Sequence, residues 1–314
     1  MGNELKAPDQ GIAAGDLDAL FGRVPCLAGS PRSVKLLPGG LTNRNYRVTT
    51  PAGVFVARVF SPGSELLAID RDNEYRNTQA AAVAGAGPPV IDYRPQDGLL
   101  VIGYIPGRTL RDADVAAERN LTRIAGACRR LHAGPPFVND FDMFEIQRGY
   151  FEVVTSRGFR APIGYADLMP RFEAVRRALA ARPHRAVPCH NDLLAGNLVD
   201  DGERIWLIDY EYSGNNDPCF ELGNIWSECA LPADGLEDLV TAYYGQRLRN
   251  KIARARLLGL VAKYGWTLWG CIQAAASPLD HDFWSWGMRR YEGAAAGFTS
   301  REFTRLLDDV QRDD

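Results

Sequence analysis

The sequence predicts an α+β fold in which a small antiparallel sheet precedes a larger, mainly helical region. In residues 34–60, apolar and polar residues alternate and β-branched side chains are frequent. The pattern is interrupted at Pro38-Gly39-Gly40 and at Pro51-Ala52-Gly53, which is typical of three strands joined by two turns. From about residue 107 onward, long segments with helical periodicity replace this pattern. We therefore divide the chain at the break near residues 102–106, into residues 1–102 and residues 103–314.

The first part is expected to form one small sheet with one main helix. A short helix is expected at the N-terminus, capped near Asp16. Residues 65–84 have helical composition, and the glycines and prolines that follow end this helix. Two apolar runs, residues 90–93 and residues 98–104, predict two further strands.

The second part is expected to be mainly helical. The helical segments include residues 116–132, 165–181, 236–248, 252–276 and 283–295. The exception is a hairpin, predicted from two short apolar runs on either side of the turn Asp200-Asp201-Gly202.

Composition favours a small-molecule partner. The chain has 314 residues, of which 46% are hydrophobic, and a formal net charge of −3, so it can bury a sizeable core and has no broad basic face for nucleic acid or an anionic membrane. The most apolar stretch, residues 257–276, is interrupted by Lys263 and Gln273, which indicates a buried helix and no membrane insertion. The six cysteines form no C-x-x-C pair, so we expect neither a zinc site nor disulfides and a cytoplasmic location. The oligomeric state is left open between monomer and homodimer.

The segment from His190 to Asn197 has the strongest chemical signal. Asp192 lies five residues before Asn197, and Asp209 follows twelve residues after Asn197, at the end of an apolar strand. Phosphoryl transfer needs an acceptor for the proton of the attacking hydroxyl and oxygen ligands for Mg²⁺. Asp192 is the candidate for the first role, and Asn197 and Asp209 are the candidates for the second. The alternative is that Asp192 and Asn197 only bond the backbone of a turn and that Asp209 only ends a strand.

Two features of the first part could bind phosphate groups. The turn that contains Gly39 and Gly40 could cover phosphates with its backbone amides, although an ordinary hairpin turn has the same composition. In the apolar strand formed by residues 54–60, Arg58 is expected to be enclosed and to need a partner. Glu74 on the following helix is the candidate, and the alternative is a rim arginine whose charge reaches solvent.

Seven short segments stand in an order that is shared with a known family. They are G-G-L-T-N-R-N-Y-R-V, F-V-A-R-V-F, I-D-R-D-N-E, Y-I-P-G, H-N-D-L-L-A-G-N, I-D-Y-E-Y-S-G-N-N-D-P and F-E-L-G-N. In this order the chain resembles the choline/ethanolamine kinase branch of the aminoglycoside-phosphotransferase-like small-molecule kinases over about residues 34–295. Arg58, which stands where most kinases carry lysine, resembles the choline branch more closely. Glu221 stands where relatives generally carry aspartate.

The resemblance implies a protein-kinase-like bilobal fold with ATP and Mg²⁺ as cofactors. ATP would lie between the lobes, with its adenine against residues 102–105. The nucleotide-binding residues would then be Gly39, Gly40, Thr42, Asn43, Arg58, Glu74, Ile102 and Tyr104.

The resemblance also implies an acceptor pocket beside Asp192. Its residues would be Tyr212, Glu228, Trp266, Trp269 and Trp286. Aromatic faces bind quaternary ammonium groups, with a carboxylate balancing the charge, so choline or a similar amino alcohol is the expected acceptor. The alternatives are that these aromatic side chains form core, that the acceptor is ethanolamine, thiamine, an aminoglycoside or a sugar, or that the protein binds nucleotide without catalysis.

Overall fold

The N-terminal part of the chain forms a five-stranded antiparallel sheet in the computed structural model, which describes residues 14–61 and 64–313. The strands are β1 (Ser33–Leu36), β2 (Asn43–Thr50), β3 (Gly53–Phe60), β4 (Val90–Arg94) and β5 (Leu99–Gly103), in the spatial order β1-β2-β3-β5-β4. All five predicted strands are present, because the turn residues on which the prediction depends do interrupt the sheet.

The two faces of the central strand β3 have different functions. Phe55, Ala57 and Val59 point into a small apolar core that also contains Phe21. Phe21 belongs to α1 (Ala14–Gly22), which covers this face. The helix begins before Asp16, so Asp16 lies in its first turn and not at its cap. Because side chains alternate along a strand, Arg58 points to the opposite face.

The main helix of the sheet region, α2 (Arg71–Val83), begins later than predicted. A 3₁₀ turn and a left-handed residue, Ala68 with φ of 55°, precede it. Asp70 caps the helix, because its side chain accepts a hydrogen bond from the backbone N–H of Asn73 at 3.0 Å. On its buried face Asn77 donates to the side chain of Asn139 at 2.8 Å, so α2 connects the sheet to the helical region.

Helices dominate the C-terminal part. They are α3 (Asp112–Val115), α4 (Glu118–His132), α5 (Met143–Ser156), α6 (Met169–Ala180), α7 (Pro218–Glu228), α8 (Ala233–Tyr244), α9 (Arg249–Ala276), α10 (Phe283–Thr299) and α11 (Phe303–Asp309). The long helix α9 is buried along most of its length and packs against α5, α7 and α10. No helix in the described part of the chain is long and apolar enough to cross a membrane.

Two small sheets sit among these helices. One contains β6 (Arg108–Thr109), β8 (Leu198–Asp200) and β9 (Ile205–Leu207), of which β8 and β9 form the predicted hairpin, and the other pairs β7 (Val187–Cys189) with β10 (Gly214–Asn216). The predicted α+β architecture is confirmed. The exact division at residue 102 stays a prediction, since the larger apolar core also includes residues of the first part, such as Ala81.

Candidate active site

Buried side chains fix the backbone of the loop from His190 to Asn197, which connects β7 to β8. The two carboxylate oxygens of Glu221 accept hydrogen bonds from the backbone N–H groups of His190 at 2.7 Å and Asn191 at 2.8 Å. Asn191 has a φ of 67°, and its side-chain amide donates to three carbonyl groups. Asparagine tolerates this left-handed conformation better than most residues do. The side chain of Glu221, where the resemblance implies an aspartate, therefore holds the loop.

A buried group of three polar side chains, His132, Cys189 and Glu221, lies behind the loop. The Nδ1 atom of His132 is 2.8 Å from the hydroxyl of Tyr243, and its Nε2 atom is 3.6 Å from both Cys189 Sγ and Glu221 Oε1. Burial alone would raise the pKa of Glu221, but the hydrogen bond and charge of His132 and the nearby His190 lower it. Since Glu221 already accepts from the loop amides, we assign this group to supporting the loop.

Asp192 is the third residue of the loop, and Asn197 is its last. Asn197 Nδ2 donates to the backbone carbonyl of Asp192 at 2.8 Å, which turns the amide oxygen of Asn197 away from that bond. Burial, followed by the charges of Glu228, Asp209 and Glu211, raises the pKa of Asp192 well above its usual range. Several carboxylates therefore converge on Asp192, so a cation bound among them would be strongly favoured.

Arg58 connects the sheet to Asp209. Its Nη2 atom lies 3.2 Å from Glu74 Oε1 and 2.5 Å from Asp209 Oδ1. The predicted contact between Arg58 and Glu74 is thus present, although a single guanidinium nitrogen makes both contacts. Burial alone would lower the pKa of Arg58, but the charges of Asp209 and Glu74 raise it. Asp209 has a φ of 75°, a conformation that is rare outside glycine and is concentrated at functional sites.

Glu211 is a site residue that the sequence prediction did not include. Its carboxylate accepts hydrogen bonds from Thr42 Oγ1 at 2.6 Å, Asn43 Nδ2 at 3.0 Å and Arg71 Nη1 at 3.1 Å. Burial, followed by the charges of Asp209 and Glu74, raises the pKa of Glu211 to about 7. Its position two residues after Asp209, in the quoted segment I-D-Y-E-Y, was the signal that could have identified it.

The glycine turn between β1 and β2 closes over Glu211. Gly39 has a φ of 98°, and a Cβ atom at Gly40 would lie 2.1 Å from the carbonyl oxygen of Asn43. Both positions therefore require glycine for the turn to reach this conformation. The predicted phosphate contacts of this turn stay predictions.

These elements enclose a cavity of about 110 Å³. It is lined by Gly39, Leu41, Thr42, Asp192, Leu194, Asn197, Asp209, Glu211, Tyr212, Glu228, Trp266, Trp269 and Trp286. The cavity brings together the predicted catalytic and metal residues, all five predicted acceptor-pocket residues, and Gly39 and Thr42 from the glycine turn.

Six predicted nucleotide-binding residues do not line this cavity. Asn43, Arg58 and Glu74 lie next to it through the contacts described above, and Gly40 shapes the turn. Ile102 lies on β5, opposite Val56 and Val90. The ring of Tyr104 lies 4.5 Å from the guanidinium of Arg47. The roles of these residues at the nucleotide stay predictions.

Aromatic rings line the end of the cavity away from the sheet. Trp266 and Trp269 share a face of α9, and Trp286 from α10 packs on Trp269 with ring centroids 4.9 Å apart. Tyr212 packs on Trp266 at 4.9 Å, and its hydroxyl accepts from Trp269 Nε1 at 2.8 Å. The indole N–H of Trp266 donates to Asn224 at 3.1 Å. The indole N–H groups of Trp266 and Trp269 are therefore both bonded within the protein.

Glu228 does not present a free carboxylate to this aromatic end. Arg290 donates through Nε to Glu228 Oε1 at 3.2 Å and through Nη2 to Glu228 Oε2. The guanidinium carbon of Arg290 also lies 3.2 Å from the ring centroid of Trp286. The sequence prediction did not include Arg290.

We call the part of the cavity next to the sheet, lined by Asn197, Asp209 and Glu211, the interlobe end. The oxygen atoms of these three side chains fit a hard divalent cation. Asp209 and Glu211 offer carboxylate oxygens and Asn197 offers an amide oxygen, which are the ligand types that Mg²⁺ prefers. Burial, followed by the negative charge of neighbouring carboxylates, raises the pKa values of Glu211 and Asp192, and this convergence of buried carboxylates is the observation that supports the fit.

Comparison with known proteins gives a family. The model of the phosphotransferase enzyme family matches residues 33–258. Among curated relatives, the chain is similar to Protein LicA of Haemophilus influenzae, with 29% identity over 218 residues, which is 66% of this chain and 62% of LicA. The chain thus spans less than two thirds of that relative. It is also similar to ethanolamine kinase 1 of Mus musculus, with 24% identity over 311 residues and coverage of 83% of both chains.

Solved structures lead to the same family. The fold matches a choline/ethanolamine kinase family protein from Mesorhizobium loti with a TM-score of 0.83 and 33% identity, over 95% of this chain and 98% of that one. It also matches the choline kinase LicA from Streptococcus pneumoniae with a TM-score of 0.72 and 24% identity, over 85% of this chain and 92% of that one. The second match shows the fold alone. This chain therefore belongs to the choline/ethanolamine kinase family, a branch of the phosphotransferase enzymes whose members are small-molecule kinases.

Proposed function

We propose that this protein transfers the γ-phosphoryl group of Mg-ATP to the hydroxyl of an amino alcohol, with choline favoured. The observation that carries the proposal is a single cavity that joins a carboxylate-rich interlobe end to an aromatic end, with Asp192 among its lining residues. A hydroxyl compound with a cationic head group could place its head among the rings and its hydroxyl at Asp192.

In this mechanism, Asp192 orients the acceptor hydroxyl and accepts its proton as the phosphoryl group moves. Asn197, Asp209 and Glu211 would hold the metal ion, which would supply positive charge against the phosphate oxygens when bound. Arg58 fixes Asp209 and Glu74, so it keeps a metal ligand in place on the sheet side of the cavity. The glycine turn and Thr42 close the cavity from the sheet side and limit the access of water.

Choline fits the aromatic end better than ethanolamine does. A methylated ammonium donates no hydrogen bonds and gains affinity from apolar contact and cation–π attraction, which contribute about 0.5 to 2 kcal/mol per well-placed ring. A primary ammonium has three donors that need acceptors. Glu228 already accepts from Arg290, and the hydroxyl of Tyr212 already accepts from Trp269. Ethanolamine would therefore leave donors poorly satisfied, at a cost of about 1 to 3 kcal/mol.

The size of the cavity argues against larger acceptors. Its volume of about 110 Å³ is close to that of roughly four water molecules in the liquid, whereas pockets for drug-sized ligands measure about 300 Å³ or more. An aminoglycoside would need the cavity to open. A small amino alcohol needs less rearrangement.

The test is acceptor-dependent ADP release from Mg-ATP by the purified protein. We expect kcat/KM to be highest for choline, lower for ethanolamine and lowest for the uncharged isostere 3,3-dimethyl-1-butanol. Trp269→Ala should lower kcat/KM for choline by roughly tenfold, whereas Trp284→Ala, on the neighbouring helix and outside the cavity lining, should not. Equal use of the isostere would reject the cationic pocket, and absence of ADP release with every acceptor would support a silent nucleotide-binding protein.

Location and assembly are part of the same proposal. The six cysteines are all free thiols, which is consistent with the reducing cytoplasm that we propose. A homodimer or a monomer would be distinguished by light scattering after size-exclusion chromatography.

A further inference from the structure

Arg290 places a fixed positive charge beside the aromatic end of the cavity, and the inference drawn from it rests on the proposed function. The Arg290 guanidinium contacts both a carboxylate and a tryptophan face, which are the two kinds of group that bind an ammonium in an aromatic pocket. Glu228 and Trp286 line the cavity, but Arg290 is not among the described residues that line it. A bound ammonium and Arg290 would therefore share Glu228 and Trp286.

The pair is fixed and almost excluded from water. The side chain of Glu228 is 2% exposed and that of Arg290 is 15% exposed. Arg290 bonds each carboxylate oxygen through a separate nitrogen, and its third nitrogen donates to the carbonyl of Trp286 at 3.2 Å. All three guanidinium nitrogens are thus engaged, which holds the carboxylate at the end of α7 against the first turns of α10.

The charge balance of the cavity depends on this pair. A carboxylate that is paired twice with an internal guanidinium attracts another cation less than an unpaired carboxylate does, because the guanidinium offsets part of its charge. The offset is incomplete, since Glu228 acts on the pKa of Asp192 more strongly than Arg290 does. Lys263, whose ammonium donates to the carbonyl of Ser227 at 3.1 Å, adds further positive charge near Glu228. A pocket built only to attract a cation would leave Glu228 unpaired.

We propose that Arg290 is a specificity-determining residue that offsets the charge of Glu228 and so sets how strongly the pocket discriminates a charged acceptor from an uncharged one of the same shape. In the native protein, selection then depends more on the rings than on the carboxylate. Without Arg290, the carboxylate would bind the acceptor's ammonium as its own counterion.

The test measures equilibrium binding of choline and of 3,3-dimethyl-1-butanol by calorimetry, without nucleotide. The result to compare between variants is the dissociation constant of 3,3-dimethyl-1-butanol divided by that of choline. Arg290→Met should raise this ratio by roughly tenfold, and Arg290→Lys should keep it near the native value. Glu228→Gln should lower it, because an unbalanced guanidinium then opposes the ammonium. The double variant Glu228→Gln/Arg290→Met should return it close to the native value.

Arg289→Met is the matched control, because Arg289 is the exposed neighbour of Arg290 on the same helix. A purely structural role for Arg290 predicts that Arg290→Met weakens both ligands equally and leaves the ratio unchanged, which would overturn the proposal. If Arg290→Met does not fold, Glu228→Gln provides the test. A lower ratio of dissociation constants in Glu228→Gln would support the proposal, and an unchanged ratio would overturn it. Because binding is measured, native choline binding without phosphoryl transfer would reject the proposed function but not this inference, whereas failure of the native protein to bind either ligand would reject both.

Discussion

The interlobe end of the cavity is lined by charged side chains, whereas the end beneath α9 and α10 is lined by aromatic rings. At the first end, Arg58 and Arg71 face Glu74, Asp209 and Glu211, and the pKa of Glu211 is raised to about 7. At the second end, the arginine already offsets part of the charge of the carboxylate. The shortage of positive charge is therefore greater at the first end.

In the proposed function, this difference predicts that the nucleotide and the acceptor are bound through different kinds of interaction. A Mg-nucleotide supplies divalent charge where carboxylates converge, so its binding should respond to charge, pH and metal. A small acceptor enters among rings, so its binding should respond to ring area and to the charge pair. Variants at the two ends should separate these responses.

The largest effect is expected at Asp192. Asp192→Asn cannot accept the proton of the acceptor hydroxyl, so kcat should fall by about 10³-fold, while nucleotide affinity changes little. Turnover assays and nucleotide titration of the same preparation check this. Asp238→Asn, an exposed aspartate on α8, is the control. Near-native turnover in Asp192→Asn would remove Asp192 from the mechanism.

Asp209→Ala should affect the interlobe end alone. It removes a proposed metal ligand and one partner of Arg58, so Mg-dependent nucleotide affinity should fall by about 10²-fold. Choline affinity without nucleotide should stay within about twofold of the native value. Nucleotide binding is measured across a Mg²⁺ titration, and an unchanged Mg²⁺ dependence would mean that Asp209 has been misassigned.

Substitutions at Arg58 test whether the interlobe end needs only a positive charge at this position or the guanidinium group itself. Arg58→Met leaves Glu74 buried without its partner on β3, so it should lower the free energy of unfolding by about 3 kcal/mol and reduce kcat/KM by about tenfold. Arg58→Lys should lose less stability and less activity than Arg58→Met, since one nitrogen makes both native contacts. Its kcat/KM should still fall below the native value, because the lysine ammonium does not reach as far as the guanidinium. Chemical denaturation and kinetics measure the two quantities. Equal losses in Arg58→Lys and Arg58→Met would show that the guanidinium geometry itself is required.

The sequence predicted the interlobe end better than the aromatic end. The residues Asp192, Asn197 and Asp209 lie within one loop and one hairpin, so their spacing already predicts that they meet. The pairing of Arg58 with Glu74 was predicted because a charged residue in an apolar strand requires a nearby partner. Glu211 was missed because its role depends on hydrogen bonds to Thr42 and Asn43 from the distant glycine turn.

The Glu228–Arg290 pair could not be predicted, because it joins the end of α7 to α10 across 62 residues. No local pattern specifies which charged residues of two packed helices will meet. The helix α7 itself was missed, although Asp217 caps it and Pro218 occupies its first turn, which is a recognisable start signal. The late start of α2 depends on the left-handed Ala68, which has no sequence signature, since alanine rarely adopts that conformation.

The smallest expected effect is the pH dependence of metal binding at Glu211. The folded-state pKa of about 7 lies above the usual value of about 4.3 for glutamate, so in the metal-free protein this carboxyl is partly protonated near neutral pH. Its contribution to stability is fully present below the unfolded pKa and is lost as the pH rises through about 7. A cation that uses this carboxylate must displace the proton, so Mg-nucleotide affinity should fall by about threefold when the pH drops from roughly 7.5 to 6.5.

The control is Glu211→Gln, which has no titratable group at this position. Its Mg-nucleotide affinity should be weaker than that of the native protein but constant across that pH interval. Calorimetric titrations at several pH values measure both curves, with proton release on Mg-nucleotide binding as a second readout that only the native protein should show. Parallel curves for the native protein and Glu211→Gln would assign the titration to another carboxylate, such as Asp192, whose pKa is also raised.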